Sequence, residues 1–137
     1  MKILLDTNVV LDILLDRKPF IIDSYGALKK ALEEGHILYI SASAATDIFY
    51  IVRKATKSKT QTIQHMKTLA KIMNFAKVEE ADILNALSSE IQDFEDAVVD
   101  SVAKSMQADL ILTRNDKDFK NAGVKVITPA NFYKNIK

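Results

Sequence analysis

The chain has 137 residues, 48% of them apolar, a formal net charge of +1 and no cysteine. These values indicate one compact domain, residues 1–137, and they exclude disulfides, thiolate metal sites and thiol nucleophiles. With no apolar run near the roughly 20 residues needed to cross a bilayer and no secretory cleavage pattern, we expect a soluble, cytoplasmic protein without a membrane partner.

Short apolar runs alternate with longer amphipathic ones along the chain. In order, their spacing predicts strand 2–6, helix 8–16, helix 20–34 closed by Gly35, strand 36–41, helix 43–55, helix 60–74, strand 76–78, helices 80–90 and 95–107, strand 109–113, a polar loop to Gly123, strand 124–127 and a last helix after Pro129. Strands separated by helices pair in parallel. We predict a single three-layer α/β/α domain with a central parallel sheet of four or five strands in the order 3-2-1-4-5.

Charge is distributed unevenly along the chain. Seven basic residues and no acid occur between Ile48 and Val78, whereas eight acids and no Lys or Arg occur between Glu79 and Val102. The asymmetry fits a phosphate-attracting surface beside an anionic pocket. Two solvated helix faces that differ in sign explain it equally well.

Polar residues follow two of the predicted strands directly. Asp6 ends the first strand, and Thr113, Arg114 and Asn115 follow the fourth. If the strand order is 3-2-1-4-5, these two strands are neighbours, and ligands bind beyond the carboxyl ends of such strands where the order reverses. Asp6 alone is explained equally well as the cap of the following helix.

Four further acids are candidates for the same site. Asp47 lies in the otherwise apolar helical segment SASAATDIFYIV, where a carboxylate needs either solvent or a partner. Asp93, Asp96 and Asp100 have the spacing of one helical face, and a bound cation would turn their mutual repulsion into attraction. An acidic first turn that complements the helix dipole explains Asp93 and Glu95 but is a weaker explanation of Asp100.

The chemistry that these acids allow is limited by the available ligands. Oxygen ligands favour Mg²⁺ or Mn²⁺ over zinc, and neither a P-loop nor a dinucleotide-binding glycine motif is present. A metal held by ionised carboxylates would lower the pKa of a water and promote in-line attack on a phosphodiester.

Four segments of the sequence resemble the motifs of PIN-domain nucleases. LLDTNVVLD resembles the opening motif, SASAATDIFYIVRK the second, and DFEDAVVDSVA with ADLILTRNDKDF the third and fourth. In length and arrangement the chain is similar to the small bacterial toxins of VapC-like toxin-antitoxin pairs, especially the branch that reads TRN rather than TRD. The resemblance implies a Rossmann-like PIN fold, metal-dependent endonuclease activity on single-stranded RNA, a homodimer, and an antitoxin that inserts a segment into the active-site groove.

The resemblance also implies residue roles. Asp47 stands where the family usually has Glu, and Asn115 stands where many members have Asp, so that Asp116, Asp118 or Asp100 would supply the missing charge. The implied sets are catalytic Asp6, Asp47, Asp96 and Asp116; metal-binding Asp6, Asp96 and Asn115; supporting Thr7, Asn8, Asp100, Thr113 and Asp118; and RNA-binding Arg53, Lys54, Lys57, Lys59 and Arg114.

Two other classes of protein are alternatives. A PIN-like module with little or no activity, which binds RNA or a protein, would follow if the departures at positions 47 and 115 weaken the metal site. Phosphatases of the haloacid-dehalogenase type and phospho-receiver domains also place Asp after the first strand. The phosphatase needs D-x-D where this chain has Asp6, Thr7 and Asn8, and the receiver needs an Asp at the end of a later strand.

Overall fold

A computed structural model describes residues 1–120 and 122–135. Five strands form a parallel sheet in the order β3-β2-β1-β4-β5, which confirms the predicted order. They are β1 (Lys2–Leu5), β2 (Ile37–Ser41), β3 (Asn74–Ala76), β4 (Leu110–Leu112) and β5 (Lys125–Ile127). Strand order reverses between β1 and β4, so the binding crevice of such a sheet lies beyond their carboxyl ends.

Helices connect and cover the strands. They are α1 (Thr7–Leu14), α2 (Phe20–Glu33), α3 (Ala42–Thr56), α4 (Lys59–Ile72), α5 (Glu80–Leu87), α6 (Phe94–Ser105) and α7 (Pro129–Asn135). Ser41, Ser58 and Asp93 cap α3, α4 and α6 by accepting backbone N–H groups. Gly35, with a φ of 78°, ends α2 as predicted. Within the described ranges, no helix has the length and apolar character needed to cross a membrane.

Alternating side chains of each strand fill two separate cores. Ile3 and Leu5 of β1 pack into the core formed with α1, α2, α3 and α4, whereas Leu4 faces the other core with Val98 and Val102 of α6. This alternation follows from the two-residue period of a strand. Helices therefore cover both faces of the sheet, which leaves its carboxyl edge for polar side chains.

The elements differ from the predicted ones in two places. The third strand lies at Asn74–Ala76 rather than 76–78, because the fourth helix ends at Ile72 and the backbone of Met73 is already extended. The loop after β4 contains a 3₁₀ helix at Asp116–Phe119. Its last residue, Phe119, is buried in the core beside α6, and this contact holds the loop close to the carboxyl edge of the sheet.

Candidate active site

Asp6 is held at the carboxyl edge by both neighbouring elements. Its backbone N–H donates to the carbonyl of Leu112 at 2.9 Å, which extends the pairing of β1 with β4. Thr7 N–H donates to Oδ1 at 2.8 Å, and Thr113 Oγ1 donates to Oδ2 at 2.7 Å. Asp6 is therefore both the cap of α1 and a member of the polar cluster, so the two interpretations of this residue are compatible.

Asp96 reaches the same edge from α6. The Asp93 side chain accepts the N–H of Asp96 at 3.0 Å, so the first turn of α6 begins at the cluster. Burial raises the pKa of Asp96 to about 7, and the neighbouring Asp6, Asp93, Asp118 and Glu95 carboxylates add to this effect. Acids far apart in the sequence therefore share one electrostatic environment.

The pKa of Asp6 is raised as well. Burial is the main cause, and the Asp93 charge adds to it. The hydrogen bonds from Thr113 and Thr7 and the positive charge of Arg114 act in the opposite direction. Burial, with a smaller contribution from the neighbouring acid, therefore outweighs the local donors, and a bound cation would favour the ionised carboxylate.

α3 supplies the outer wall of the cluster. Asp47 is exposed, and its charge acts with burial to raise the pKa of Glu95. Tyr50 and Ile51 follow one turn later and face the same cavity. The cavity has a volume of about 390 Å³ and is lined by Asp6, Thr7, Asn8, Leu11, Arg17, Asp47, Tyr50, Ile51, Asp93, Glu95, Asp96, Asn115 and Asp118.

The loop after β4 places its acids differently from one another. Asn115 and Asp118 line the cavity, whereas Asp116 is exposed and is not among the lining residues of the described chain. The 3₁₀ helix explains the difference, because residues two apart on it point in different directions. Asp118 is thus the loop acid that contributes to the cavity.

Asp100 lies outside the cavity. Its Oδ1 accepts the backbone N–H of Gly123 at 2.9 Å, and its Oδ2 pairs with Lys104 at 3.0 Å. It lines a separate polar pocket together with Asn85 and Ser89. Asp100 is one helical turn beyond Asp96, about 6 Å along α6, and this displacement brings it to the loop before β5.

The Arg114 side chain forms an ion pair with a buried carboxylate. Its Nε and Nη2 donate to the two oxygens of Asp12 at 2.7 and 3.1 Å, and its guanidinium lies 3.9 Å from the centre of the Phe20 ring. Asp12 is fully buried and also accepts from Ser24 Oγ at 3.0 Å. The structure thus pairs the partly exposed Arg114 with a buried carboxylate, and its predicted RNA-binding role stays a prediction.

The other predicted RNA-binding residues lie where α3 ends and α4 begins. Arg53, Lys54, Lys57 and Lys59 are all exposed. As far as the structure describes the chain, none of the four lines the acidic cavity. Lys54 follows Tyr50 and Ile51 on α3 by one turn, so the basic side chains continue away from the cavity along the same helix.

Sequence reasoning missed several cavity residues. Asp93 was a candidate with the helix dipole as its alternative explanation, Glu95 was explained by the dipole alone, and Arg17 was not considered. Asp12, within the apolar run from Val9 to Leu15, carries the same signal that singled out Asp47, because a carboxylate there needs a partner. That signal could have identified the Asp12 ion pair, although not its partner.

The cavity offers oxygen ligands to a metal ion. Among residues 1–120 and 122–135, no three acidic or histidine side chains converge closely enough to hold an ion jointly. The nearby donors are all oxygens, and burial and neighbouring carboxylates raise the pKa values of Asp6 and Asp96. The residues fit a hard cation that takes one or two carboxylates and keeps several waters, as Mg²⁺ does.

Comparison with known proteins identifies the family. A sequence model of the PIN domain matches residues 2–117, and the chain belongs to this family. The chain is 28% identical over 134 residues to Ribonuclease VapC1 of Aquifex aeolicus strain VF5, covering 96% of this chain and 92% of that protein.

Two solved structures show the same fold. One is VapBC2 from Rickettsia felis bound to a promoter DNA fragment, with a TM-score of 0.72, 18% identity, and coverage of 93% of this chain and 98% of that one. The other is VapBC-1 from nontypeable Haemophilus influenzae, with a TM-score of 0.68, 17% identity, and coverage of 94% and 98%. The predicted PIN fold is thereby confirmed.

Proposed function

We propose that the protein is an endoribonuclease that uses Mg²⁺ or Mn²⁺ to hydrolyse phosphodiesters of single-stranded RNA. The observation that carries the proposal is the shared environment of Asp6 and Asp96, whose pKa values are both raised at the carboxyl edge of the sheet. The similarity to a curated relative named as a ribonuclease supports the same activity.

The proposed roles follow from position in the cavity. Asp6, Asp96 and Asn115 would hold the ion. Asp118, which lines the cavity, would supply the negative charge missing at Asn115, a role for which Asp116, Asp118 and Asp100 were the candidates. When bound, the ion would supply charge neutralisation at the phosphate and a more acidic water. Thr113 and Thr7 keep the Asp6 carboxylate oriented and favour its ionised form.

The acids at the mouth of the cavity handle the proton of the reaction. Asp47 and Glu95 both line the cavity, and burial together with the nearby Asp47 charge raises the pKa of Glu95. A carboxylate with a raised pKa is a better proton acceptor near neutral pH. Glu95 therefore accepts the proton of the attacking water, and the Asp47 charge supports this catalytic role by raising the pKa of Glu95.

Single-stranded RNA suits the shape of the site. Asp6 and Asp96 are 6% and 8% exposed and lie at the base of the cavity. A flexible single strand can bend a phosphate toward them, whereas a stiff duplex cannot. The exposed basic side chains of Arg53, Lys54, Lys57 and Lys59 attract the phosphate backbone of the same RNA strand.

We further propose that the protein is the toxin of a toxin-antitoxin pair, acts in the cytoplasm as a homodimer, and is inhibited by a cognate antitoxin. The VapBC assemblies of the two structural neighbours support an antitoxin partner. The exposed apolar side chains Ile83 and Phe94, which line a pocket with Asp6 and Asp47, supply a surface that a protein partner would cover, and Leu84 and Leu87 on α5 are exposed as well.

The test is cleavage of a fluorescent single-stranded RNA with Mg²⁺ or Mn²⁺, with and without a chelator. We expect cleavage that the chelator and Asp96→Asn both abolish, whereas Glu33→Gln, an exposed acid on α2, retains it. The same RNA annealed to its complement should resist cleavage. Cleavage that is insensitive to the chelator would contradict the proposal.

The rival function is RNA or protein binding without cleavage. The lack of three converging acids in the described residues and the exposure of Asp47 favour it. RNA binding with no cleavage across both metals, by a folded protein freed of any antitoxin, would establish this rival.

A further inference from the structure

The acidic cavity contains one basic side chain in the part of the chain that the structure describes. Arg17 lies among lining residues that include six carboxylates, those of Asp6, Asp47, Asp93, Glu95, Asp96 and Asp118. Such a wall repels a phosphate group at neutral pH. A guanidinium in the same wall offsets this repulsion at one point.

The backbone after α1 brings Arg17 back toward the cavity. α1 ends at Leu14, and Asp16 has a φ of 51°, a left-handed conformation that reverses the chain. Arg17 N–H then donates to the carbonyl of Asp12 at 2.9 Å. The side chain extends from this turn to Asn8 in the first turn of α1, where Nη1 donates to Oδ1 at 3.4 Å.

Arg17 is held in place without being fully engaged. Its second contact, from Nη1 to Asp12 Oδ1, is 3.9 Å long, because Arg114 and Ser24 already occupy that carboxylate. Both contacts are longer than the 2.7–2.9 Å typical of ionic hydrogen bonds. They also use Nη1 alone, and the side chain is 33% exposed.

We infer that Arg17 is a phosphate-binding residue of the active site, with Nε and Nη2 directed to the phosphodiester that is cleaved. The inference rests on the proposed ribonuclease function. A planar guanidinium matches two phosphate oxygens at once, and its attraction strengthens as charge grows on those oxygens in the transition state. Asp12 is then a positioning residue, because it anchors the turn and one side of the guanidinium.

The experiment compares Arg17→Ala and Arg17→Lys with Lys29→Ala, which removes one exposed positive charge from α2. For Arg17→Ala we expect kcat/KM on single-stranded RNA to fall about 100-fold, with part of the loss in kcat. Arg17→Lys should recover part of it, since the charge remains while the planar fork is lost. Added guanidinium ion should rescue Arg17→Ala but not Arg17→Lys, and Lys29→Ala should stay within twofold of wild type.

Binding is measured separately from cleavage. In an Asp96→Asn background, which cannot cleave, adding Arg17→Ala should weaken binding of the same RNA severalfold with an unchanged melting temperature. Wild-type activity of Arg17→Ala, or a loss of activity that tracks a lower melting temperature and that guanidinium does not rescue, overturns the inference alone. A wild-type protein with no chelator-sensitive cleavage overturns the proposed function and the inference together.

Discussion

The hydroxyl of Thr113 donates a 2.7 Å hydrogen bond to Oδ2 of Asp6, joining residues 107 positions apart across the ends of β4 and β1. Thr113 is fully buried, and the bond from Thr7 N–H occupies the other carboxylate oxygen. Each bond favours the ionised form of Asp6 against the effect of burial. Orientation and charge of this acid therefore depend on a contact between two strands that are adjacent only in the folded protein.

Thr113→Val should raise the pKa of Asp6 further, because it removes a donor to the carboxylate while preserving side-chain shape. Under the proposed function cleavage requires ionised Asp6, so the acidic limb of the pH profile should move to higher pH. Stability should fall by about 1–2 kcal/mol. The measurements are kcat/KM against pH and denaturant unfolding, with Thr68→Val on the exposed face of α4 as control. An unmoved acidic limb would show that this bond does not tune the site.

Asp96 should make the metal-free protein less stable as pH rises. Its pKa is about 7 in the folded state against an ordinary value of 3.8, so between these values the folded state holds a proton that the unfolded state releases. The free energy of unfolding contributed by this group therefore falls from about pH 4 to about pH 7. Asp96→Asn should remove the decline and, at pH 8, stabilise the metal-free protein by about 1–2 kcal/mol after allowance for solvent screening.

Urea unfolding at pH 5 and pH 8 with a chelator present tests the Asp96 prediction, and Glu33→Gln serves as the charge-matched control. Equal destabilisation by Asp96→Asn at both pH values would assign this carboxylate a structural role instead.

Divalent ions should stabilise the wild-type protein at pH 8. Binding at ten times the dissociation constant contributes about 1.4 kcal/mol, which appears as a higher melting temperature that a chelator reverses. Asp6→Asn and Asp96→Asn should each lose most of this shift, because a neutral amide replaces a carboxylate ligand. Thermal melts with Mg²⁺ and Mn²⁺ check the result, and an undiminished shift in both variants would place the ion elsewhere.

Arg114→Ala should destabilise the fold by about 3 kcal/mol, since it leaves Asp12 buried with only its weaker partners. Arg53→Ala, which removes an exposed charge, should change stability by less than about 0.5 kcal/mol. Denaturant unfolding of both variants separates a structural role of Arg114 from the RNA-binding role suggested by the sequence. Full stability of Arg114→Ala together with weaker RNA binding would restore the latter.

Lys54→Gln should weaken RNA binding in a salt-dependent manner. If Lys54 contacts a phosphate, the slope of log K against log salt should become shallower by about 0.7. Binding titrations at several salt concentrations in the Asp96→Asn background measure this slope, with Lys29→Gln as a distant control. An unchanged slope would remove Lys54 from the RNA path.

Much of the fold could be predicted because it depends on local periodicity. Ile3, Leu4 and Leu5 alternate between the two faces of the sheet because a strand has a two-residue period. α2 ends before Gly35 because glycine adopts a positive φ without strain. The predicted strand order 3-2-1-4-5 is also the observed one. The third strand was misplaced by two residues because Met73 continues the apolar pattern of α4 although its backbone is extended.

The amino-acid sequence by itself determined that acids occur at the end of a buried strand and in two helices, and that their ligand chemistry is that of oxygen. Only the tertiary structure decided which acids meet: Asp118 rather than Asp116 lines the cavity, Asp100 turns toward Gly123, and Arg114 pairs with Asp12. These outcomes depend on the direction in which each side chain points at the end of a helix or strand, and on contacts between residues about a hundred positions apart in the sequence. Local patterns carry no information about such distances.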